Sequence, residues 1–247
     1  MDLQFFRRSP RERVNAIVLQ AIEVTPRMRR LVLGGPDLAA WLESDGVGNP
    51  AAWVKVFPAG REGRAYTIRR VDATAGTLDI DFVLHGDQGD DGAVSDWARL
   101  ARRGDQVGIA GPRHGGFDLQ SDTRWIWLAA DASALAAAQS ILESLPRGLH
   151  AHALLVVDDE GERQPVQSGA HVDIQWRYAF ERAYSLEATD PLLTTIASLR
   201  GAGQVWMAGE ATWVRNWRAF WLEHQNVDRS RVVSKGYWKV GSRDHRD

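Results

Sequence analysis

The chain of 247 residues contains no cysteine. This absence excludes disulfides, cysteine-ligated zinc and protein-held iron–sulfur clusters, so any redox chemistry depends on an organic cofactor or a substrate metal. No stretch reaches the ~18 consecutive apolar residues of a membrane-spanning helix, and residues 1–8 lack the apolar segment of a signal peptide. We therefore expect a cytoplasmic protein without stable membrane insertion.

The chain also has little net charge and few lysines. Its 30 Lys and Arg residues against 32 Asp and Glu residues leave a net charge of −2, so no attraction to nucleic acid is expected. The seven histidines show no metal-ligand spacing, and the pair His150-x-His152 is interpreted as solvated, so no metal site is predicted. The chain prefers arginine, because Lys55, Lys235 and Lys239 are its only lysines.

The first half of the chain has the pattern of short antiparallel strands. Residues 78–84 alternate between apolar and polar side chains, as a half-buried strand does. Ser95 is predicted to cap a short helix over residues 96–102. Six strands with turn residues between them predict an antiparallel six-stranded β-barrel. The predicted strands cover residues 13–24, 28–34, 53–57, 65–71, 78–84 and 107–110.

The second half changes to short apolar runs that alternate with helices. Such runs are typical of strands buried on both faces of a parallel sheet. The predicted strands cover residues 125–130, 151–157, 172–176, 205–208 and 232–234, and the predicted helices cover residues 133–145, 192–199 and 212–224. These patterns predict a barrel domain over residues 1–120 and an α/β nucleotide-binding-like domain over residues 121–247.

Residues 64–69 carry an unusual set of side chains for a strand. Two arginines, a tyrosine and a threonine suit a flavin dinucleotide, which needs cations for its pyrophosphate, a flat ring against the isoalloxazine and a donor near N5. Alternation places Arg64 and Tyr66 on one face of the strand and Thr67 on the other. The spacing alone leaves open the alternative of a structural strand with an exposed tyrosine.

A glycine-rich stretch follows the strand at residues 78–84. It starts at His85-Gly86 and ends with residues 92–95 before the predicted helix. Backbone amides in a glycine loop that leads into a helix form a ready anion site, to which the Ser95 hydroxyl adds a donor. A structural role is the alternative for His85.

Seven segments in one order resemble the siderophore-interacting proteins, which are FAD-dependent ferric-siderophore reductases related to ferredoxin–NADP reductases. They are RAYTIRR, DIDFVLHGDQG, SDWARLARRGD, GIAGPR, WLAADASALAAAQSILESLP, VWMAGE and KGYWKVG. The resemblance covers nearly the whole chain. It implies a ferredoxin reductase-like protein, with an FAD-binding barrel followed by an NAD(P)H-binding α/β domain.

The resemblance also implies roles for residues of the barrel. Tyr66 packs on the isoalloxazine and Thr67 serves N5, which makes these two the catalytic candidates, while Arg64 and Arg69 contact polar parts of FAD. The stretch around His85 borders the cofactor, and residues 92–95 hold its pyrophosphate. The implied cofactor-contact set is Arg64, Ala65, Tyr66, Thr67, Ile68, Arg69, Val83, His85, Gly86, Gly92, Ala93, Val94 and Ser95.

The nicotinamide side departs from the family pattern. Ala130 replaces a glycine and Ala132 replaces a glutamate, which removes room for close backbone approach and a charge near the flavin. NAD(P)H remains the expected co-substrate, a reduced ferredoxin is an alternative electron donor, and a purely structural turn is an alternative for residues 129–135. The implied nicotinamide contacts are Asp131, Ser133, Ala134, Gly209 and Glu210.

The substrate that the resemblance implies is a ferric siderophore, from which reduction releases Fe(II). Because such chelates are often anionic, Lys55, Lys235 and Lys239 are the expected substrate contacts, with plain surface charge as the alternative for the last two. A flavin- or siderophore-binding protein without efficient turnover is a second hypothesis. A general NAD(P)H–flavin reductase is a third.

Overall fold

A computed structural model describes residues 13–84, 93–179 and 191–241 of the protein. Its first sheet is a closed barrel in the order β1-β2-β5-β4-β3-β6, with every registered strand pair antiparallel. The prediction of a six-stranded antiparallel barrel is confirmed. The strands are β1 (Val14–Thr25), β2 (Met28–Gly34), β3 (Trp53–Pro58), β4 (Arg64–Asp72), β5 (Thr77–Val83) and β6 (Gln106–Arg113).

Alternation along the strands separates the inside of the barrel from the outside. In β3, Val54 and Val56 are buried in the barrel core, while Trp53, Lys55 and Phe57 are only partly buried. A closed sheet has no free edge along most of its length, so its outer face is available for ligands and for the second sheet.

Two short helices accompany the barrel. Helix α1 (Pro36–Trp41) was not predicted, and α2 (Ala93–Leu100) begins and ends earlier than expected. The prediction that Ser95 caps the helix is wrong, because Ser95 lies inside its first turn. Its hydroxyl donates instead to the Val83 carbonyl at 2.8 Å, which ties α2 to the end of β5.

The second sheet has five parallel strands in the order β11-β10-β7-β8-β9. This confirms the predicted parallel α/β domain. Strands β7 and β10 are neighbours in the sheet. The chain continues from β7 to β8 on one side of this pair and from β10 to β11 on the other side, so the carboxyl ends of β7 and β10 form a topological switch point. The strands are β7 (Trp125–Asp131), β8 (His150–Val157), β9 (His171–Tyr178), β10 (Gly203–Glu210) and β11 (Val232–Trp238), and the α-helices are α3 (Leu135–Ser144), α4 (Pro191–Ser198) and α5 (Ala211–Ala219).

Three predicted elements of this domain differ in detail. A 3₁₀ turn over Ala132–Ala134 precedes α3, and the helix predicted over residues 212–224 changes from α to π geometry at Phe220–His224. Strand β11 continues through Trp238, four residues beyond the predicted strand. None of the helices in the three described ranges is long and apolar enough to cross a membrane.

Polar contacts join the barrel to the parallel sheet. The buried Glu162 carboxylate accepts from the Thr25 hydroxyl at 2.5 Å and from the Arg27 amide at 2.9 Å. On another side, Arg69 donates to Glu143 of α3 at 2.7 Å. These contacts fix the second sheet against the outer face of the barrel. The division of the chain at residue 120 stays a prediction.

Candidate active site

The barrel opens between the beginning of β4 and the end of β5. The registered pairing of these strands stops at Ile68 and Ile80, so residues 64–67 pair with β3 alone and residues 81–83 pair with β2 alone. Unpaired strand edges carry free amide and carbonyl groups. The predicted flavin strand therefore lies along one side of this opening.

Tyr66 and Thr67 face opposite sides of β4, as alternation predicted. The Tyr66 ring packs against Phe82 with centroids 4.4 Å apart, and burial raises the pKa of its phenol. The buried Thr67 hydroxyl is hydrogen-bonded to the Tyr237 phenol of β11. Burial raises the pKa of Tyr237 to about 12, with this hydrogen bond acting in the opposite direction.

The residues predicted to hold phosphate lie near one end of the opening. Arg64, at the start of β4, is half-buried and close enough to affect the Tyr66 phenol. The Ser95–Val83 hydrogen bond places the first turn of α2 at the end of β5, and the amides of a first helical turn have no intrahelical acceptors. Val94 is buried in the barrel core. His85, Gly86 and Gly92 lie outside the described residues, as does the side chain of Ala93.

Arg69 has protein partners that the sequence did not reveal. Its Nε donates to Gln139 at 3.0 Å, and its two terminal nitrogens donate to Glu143 at 2.9 and 2.7 Å. Its Nε also lies 4.0 Å from the buried Asp81 carboxylate, which Arg30 binds at 2.6 and 2.8 Å. Arg69 therefore joins the two domains, and its predicted contact with FAD stays a prediction.

Lys55 lies on the outer face of the barrel between two small residues. Its register partners are Ala65 on β4 and Ala110 on β6, which leave room above the strand. Two positions earlier on the same face, Trp53 registers with Thr67 and with Arg113. The Arg113 guanidinium lies 5.0 Å from the centre of the Trp53 ring, in a cation–π contact.

Lys235 approaches the same region from β11. Its ammonium donates to the His114 carbonyl at 3.3 Å, and burial lowers the pKa of this lysine. Gly116 makes room for the chain, because a Cβ there would lie 2.8 Å from the Lys235 Cε. Lys239 is exposed, one residue beyond the end of β11. We use the name interdomain groove for the surface formed by Trp53, Lys55, Thr67, Arg113, Lys235 and Tyr237.

The predicted nicotinamide contacts form a closed hydrogen-bond network at the switch point. The buried Asp131 carboxylate accepts from the Ser133 amide at 2.9 Å and hydroxyl at 2.5 Å. It also accepts from the Glu210 amide at 2.8 Å and the Trp238 indole at 2.7 Å. Burial raises the pKa of Asp131, while these hydrogen bonds act in the opposite direction. The Glu210 carboxylate accepts from the Trp213 amide at 2.8 Å and so caps α5.

Gly209 and two buried alanines pack next to this hydrogen-bond network. Gly209 has a φ of +145°, and a Cβ there would lie 2.5 Å from the Asp131 carboxylate, so both the conformation and the space require glycine. Ala130 and Ala134 are fully buried in the core beneath α3. The predicted nicotinamide contacts therefore meet at one place, where their carboxylates already accept hydrogen bonds from other groups of the protein. They are Asp131, Ser133, Ala134, Gly209 and Glu210.

Comparison with known proteins decides the family. The model of the siderophore-interacting FAD-binding domain matches residues 50–116, and that of the siderophore-interacting protein matches residues 123–241. Together they span most of the chain. A Mycobacterium tuberculosis protein that is uncharacterised is 30% identical and aligns with 91% of this chain and 89% of its own.

The chain belongs to the siderophore-interacting protein family. Ferric vibriobactin reductase ViuB of Vibrio cholerae is 29% identical over 90% of this chain and 87% of that protein. A siderophore utilization protein from T. fusca is 30% identical, with a TM-score of 0.75 over 94% of this chain and 95% of that one. The NADPH-dependent ferric-chelate reductase of Escherichia coli is 30% identical over 65% of this chain and 60% of its own.

The barrel of this siderophore-interacting protein fits FAD on geometric grounds. The open strand edges, the partly buried Tyr66 ring, the Arg64 cation and the first turn of α2 supply groups that match a flat ring and a pyrophosphate. Arg64, Tyr66 and Val83, together with the backbone of residues 93–95, are the described residues that would hold it.

Three residues of the groove and the switch point were not among the predicted contacts. Tyr237 and Trp238 stood in the KGYWKVG segment that carried the resemblance, and their contacts with Thr67 and Asp131 follow from the extra length of β11. Arg113 had no local signal, since its position over Trp53 depends on the register of β3 with β6.

Proposed function

We propose that the protein is an FAD-dependent reductase of ferric siderophores that releases iron as Fe(II). The observation that carries this proposal is the position of Lys55 and Lys235 in the groove that also contains Thr67 of the flavin strand. A cationic groove beside a flavin site suits an anionic ferric chelate, which has to approach the flavin to accept an electron. The names of the relatives in Vibrio cholerae and Escherichia coli support the same activity.

The proposed division of labour follows from the geometry. FAD, when bound, supplies the chemistry that converts a two-electron donor into one-electron reductions. Tyr66 presents its ring to the flavin and keeps water from that face. The Thr67 hydroxyl faces the other side of β4 and is hydrogen-bonded to Tyr237, so Thr67 serves the reactive nitrogen through its backbone amide. Lys55 and Lys235 bind the chelate, with Lys239 at the outer end. Since a hydride carries two electrons and each Fe(III) accepts one, one NAD(P)H accounts for two chelates reduced.

The electron donor in this proposal is NAD(P)H. The donor enters at the switch point, where Asp131, Glu210 and Trp238 meet and where open α/β sheets commonly bind nucleotides. For a nicotinamide to bind Asp131 here, the Trp238 indole has to give up its hydrogen bond to that carboxylate. A reduced ferredoxin, which would deliver electrons at the surface, does not need that movement.

Anaerobic reduction of the FAD-loaded protein tests both the activity and the donor. We expect NADH or NADPH to bleach the flavin absorbance, and a ferric siderophore to restore it while a chromogenic Fe(II) chelator develops colour. If NADH and NADPH fail to reduce the flavin but a reduced ferredoxin succeeds, the proposed reductase activity is kept and the electron donor is the ferredoxin. Failure of the chelate to reoxidise a chemically reduced flavin contradicts the proposed activity. A protein that binds no FAD contradicts the flavin assignment itself.

Binding without efficient turnover is a second candidate, because the network around Asp131 closes the switch point. In that case the chelate binds, yet neither donor reduces the flavin at a useful rate. A general flavin reductase is distinguished by equal rates with free flavin and with ferric chelates. The lysines of the groove suit an anionic chelate, whereas free riboflavin has no negative charge for them to bind.

A further inference from the structure

The connection from the barrel to the parallel sheet begins beside the interdomain groove, at His114. This residue follows Arg113, the last residue of β6. The next residue, Gly115, is fixed to the core, because its carbonyl accepts from the Trp206 indole at 3.2 Å and a Cβ there would overlap the Ala51 carbonyl. The His114 side chain, in contrast, is 45% exposed. The backbone of the connection is therefore anchored next to a histidine whose ring reaches solvent.

The His114 ring closes a tight turn in this connection. Its Nδ1 accepts from the Gly116 amide at 3.0 Å, and its Nε2 lies 3.2 Å from the Asp118 carboxylate. Since an amide N–H only donates, Nδ1 carries no proton, so the neutral ring has its proton on Nε2 and donates it to Asp118. Gly116 has a φ of +82°, which favours glycine. A bond from a side chain to the amide two residues on is the one that asparagine makes in turns.

Both residues that the ring joins also contact Lys235. The Lys235 ammonium donates to the His114 carbonyl at 3.3 Å, and a Cβ on Gly116 would lie 2.8 Å from the Lys235 Cε. Holding a lysine side chain in one conformation costs about 1.5–2 kcal/mol of rotamer entropy, so specific contacts have to set its position. Closing the turn sets the direction of the His114 carbonyl and the path of the lysine past Gly116.

We propose that His114 is a positioning residue of the chelate site, which holds the Lys235 ammonium toward the interdomain groove through the turn closed at Gly116. This inference rests on the proposed function for the nature of the ligand, an anionic metal chelate. The ring nitrogens are both engaged within the connection, so His114 acts through Lys235.

The turn requires a neutral ring. A proton on Nδ1 would face the Gly116 amide, which leaves two donors opposed and opens the turn. Imidazole rings change charge within the range of about pH 5–8. The charged groups around the ring in the described part of the chain are Asp118 at Nε2, Lys235 at the carbonyl, and Arg113, whose guanidinium lies over Trp53.

Two uncharged substitutions separate the two ring nitrogens. His114→Asn places an amide oxygen near the position of Nδ1 and can accept from Gly116, whereas His114→Gln extends toward the position of Nε2 and lacks this acceptor. The Gly116 amide resonance in a ¹H–¹⁵N spectrum of the full chain, loaded with FAD, reports the turn. As the pH falls across the imidazole range, we expect this resonance to move to higher field in the unaltered protein and to stay constant in His114→Asn. In His114→Gln it is expected at higher field throughout. A Gly116 resonance that is the same in the two variants overturns the proposal.

Binding of hexacyanocobaltate(III) tests the effect on Lys235. This octahedral trianion resembles an anionic metal chelate, resists reduction by the flavin and keeps its charge across the imidazole range. In calorimetry at about pH 8, where imidazole is neutral, we expect His114→Gln to weaken its binding at least threefold and His114→Asn to preserve it. In a Lys235→Ala background, His114→Gln is expected to have no further effect. Equal affinities of His114→Gln and His114→Asn, or the same loss in both backgrounds, overturn the positioning role.

The binding test is independent of turnover, because the cobalt complex accepts no electron. If His114 and Lys235 are coupled in this way but the protein reduces no ferric siderophore, the result contradicts the proposed function and supports the positioning role in an anion site. If ferric siderophores are reduced but the coupling is absent, the reductase is supported and the positioning role is overturned.

Discussion

At the scale of one residue, the proposed function assigns Lys55 to the substrate and not to the cofactor. The Lys55 side chain lies above Ala65 and Ala110 on the outer face of the barrel, away from the Tyr66 ring. We expect Lys55→Ala to leave FAD affinity unchanged and to lower kcat/KM for an anionic ferric siderophore about tenfold, the effect of ~1.4 kcal/mol. Steady-state rates and a flavin titration check both parts.

Arg103→Ala is the matched control for Lys55→Ala, because Arg103 is an exposed cation of the barrel in the turn before β6. This control is expected to change neither quantity. A loss of FAD in Lys55→Ala, or an equal loss of activity in Arg103→Ala, contradicts a substrate role for Lys55.

The buried phenol of Tyr237 makes the stability of the protein depend on pH in the alkaline range. Its pKa is raised from 10.0 to about 12, so the folded state holds its proton where the unfolded state loses it. The resulting stability is present below pH 10 and is lost as the pH rises from 10 to about 12. Between these pH values, the free energy of unfolding is expected to fall by on the order of 2 kcal/mol less in Tyr237→Phe than in the unaltered protein. Urea unfolding at a series of pH values measures it.

The partner variant Thr67→Val isolates the hydrogen bond from the titration. It keeps the Tyr237 phenol and removes its hydroxyl partner, so we expect a loss of about 1 kcal/mol in the free energy of unfolding at neutral pH. The alkaline loss is expected to be at least as large as before, because this hydrogen bond lowers the pKa of Tyr237. Identical pH profiles for Tyr237→Phe and the unaltered protein contradict the buried phenol as the source.

At the scale of elements, the turn between β1 and β2 is attached to the parallel sheet through Glu162. This buried carboxylate accepts from the Thr25 hydroxyl and from the Arg27 amide. We expect Glu162→Ala to lower the free energy of unfolding by about 2–3 kcal/mol, because two donors lose a charged acceptor. Glu162 lies in the 3₁₀ helix Glu160–Glu162, and the Glu160 side chain in the same helix is 82% exposed. We expect Glu160→Ala to change the free energy of unfolding by less than ~0.5 kcal/mol. Equal effects of the two variants contradict this attachment.

The elements also show which features can be predicted from local patterns. The alternation in β5 and the continuous apolar run of β7 predicted strands of the correct type, because each pattern directly reflects burial on one or two faces. Ser95 was misassigned because a serine before a helical pattern resembles a cap. Its hydroxyl instead satisfies the Val83 carbonyl, a contact that depends on how α2 packs against β5.

The positions of the candidate site residues were easier to predict than the contacts that these residues make. Residues 64–69 were singled out by their side-chain types, and Gly209 and Glu210 by the family resemblance. Their roles toward FAD and NAD(P)H stay predictions. Arg69 binds Glu143, and Asp131 binds Trp238. These partners are 74 and 107 positions away in the sequence, so no local spacing reveals them. Gly209 is explained by its positive φ and by its contact with Asp131, and neither is visible in the sequence.

At the scale of the whole molecule, FAD binding should stabilise the fold. A ligand that binds only the folded state adds about 2.7 kcal/mol at one hundred times its Kd, which corresponds to roughly 5–10 °C in Tm for a chain of this length. Tyr66→Ala removes the ring that packs on Phe82 and faces the opening, so we expect most of this rise to disappear at the same FAD concentration. Thermal unfolding with and without FAD measures the rise.

Tyr66→Phe is the control, since it keeps the ring and is expected to keep most of the rise. An equal rise in Tyr66→Ala contradicts the placement of the flavin on this strand. The comparison is made between loaded and unloaded forms of each variant, because the substitution also changes the stability of the barrel itself.

The scarcity of lysine makes the interdomain groove open to selective chemical labelling. Two of the three lysine side chains, Lys55 and Lys235, belong to the groove, and Lys239 follows directly after β11. An acylating reagent therefore finds its side-chain targets around one surface instead of across the molecule. Because burial lowers the pKa of Lys235, a larger fraction of its amine is unprotonated and nucleophilic near neutral pH. Mass spectrometry of the acylated protein, with and without a ferric chelate, would give a footprint of the substrate.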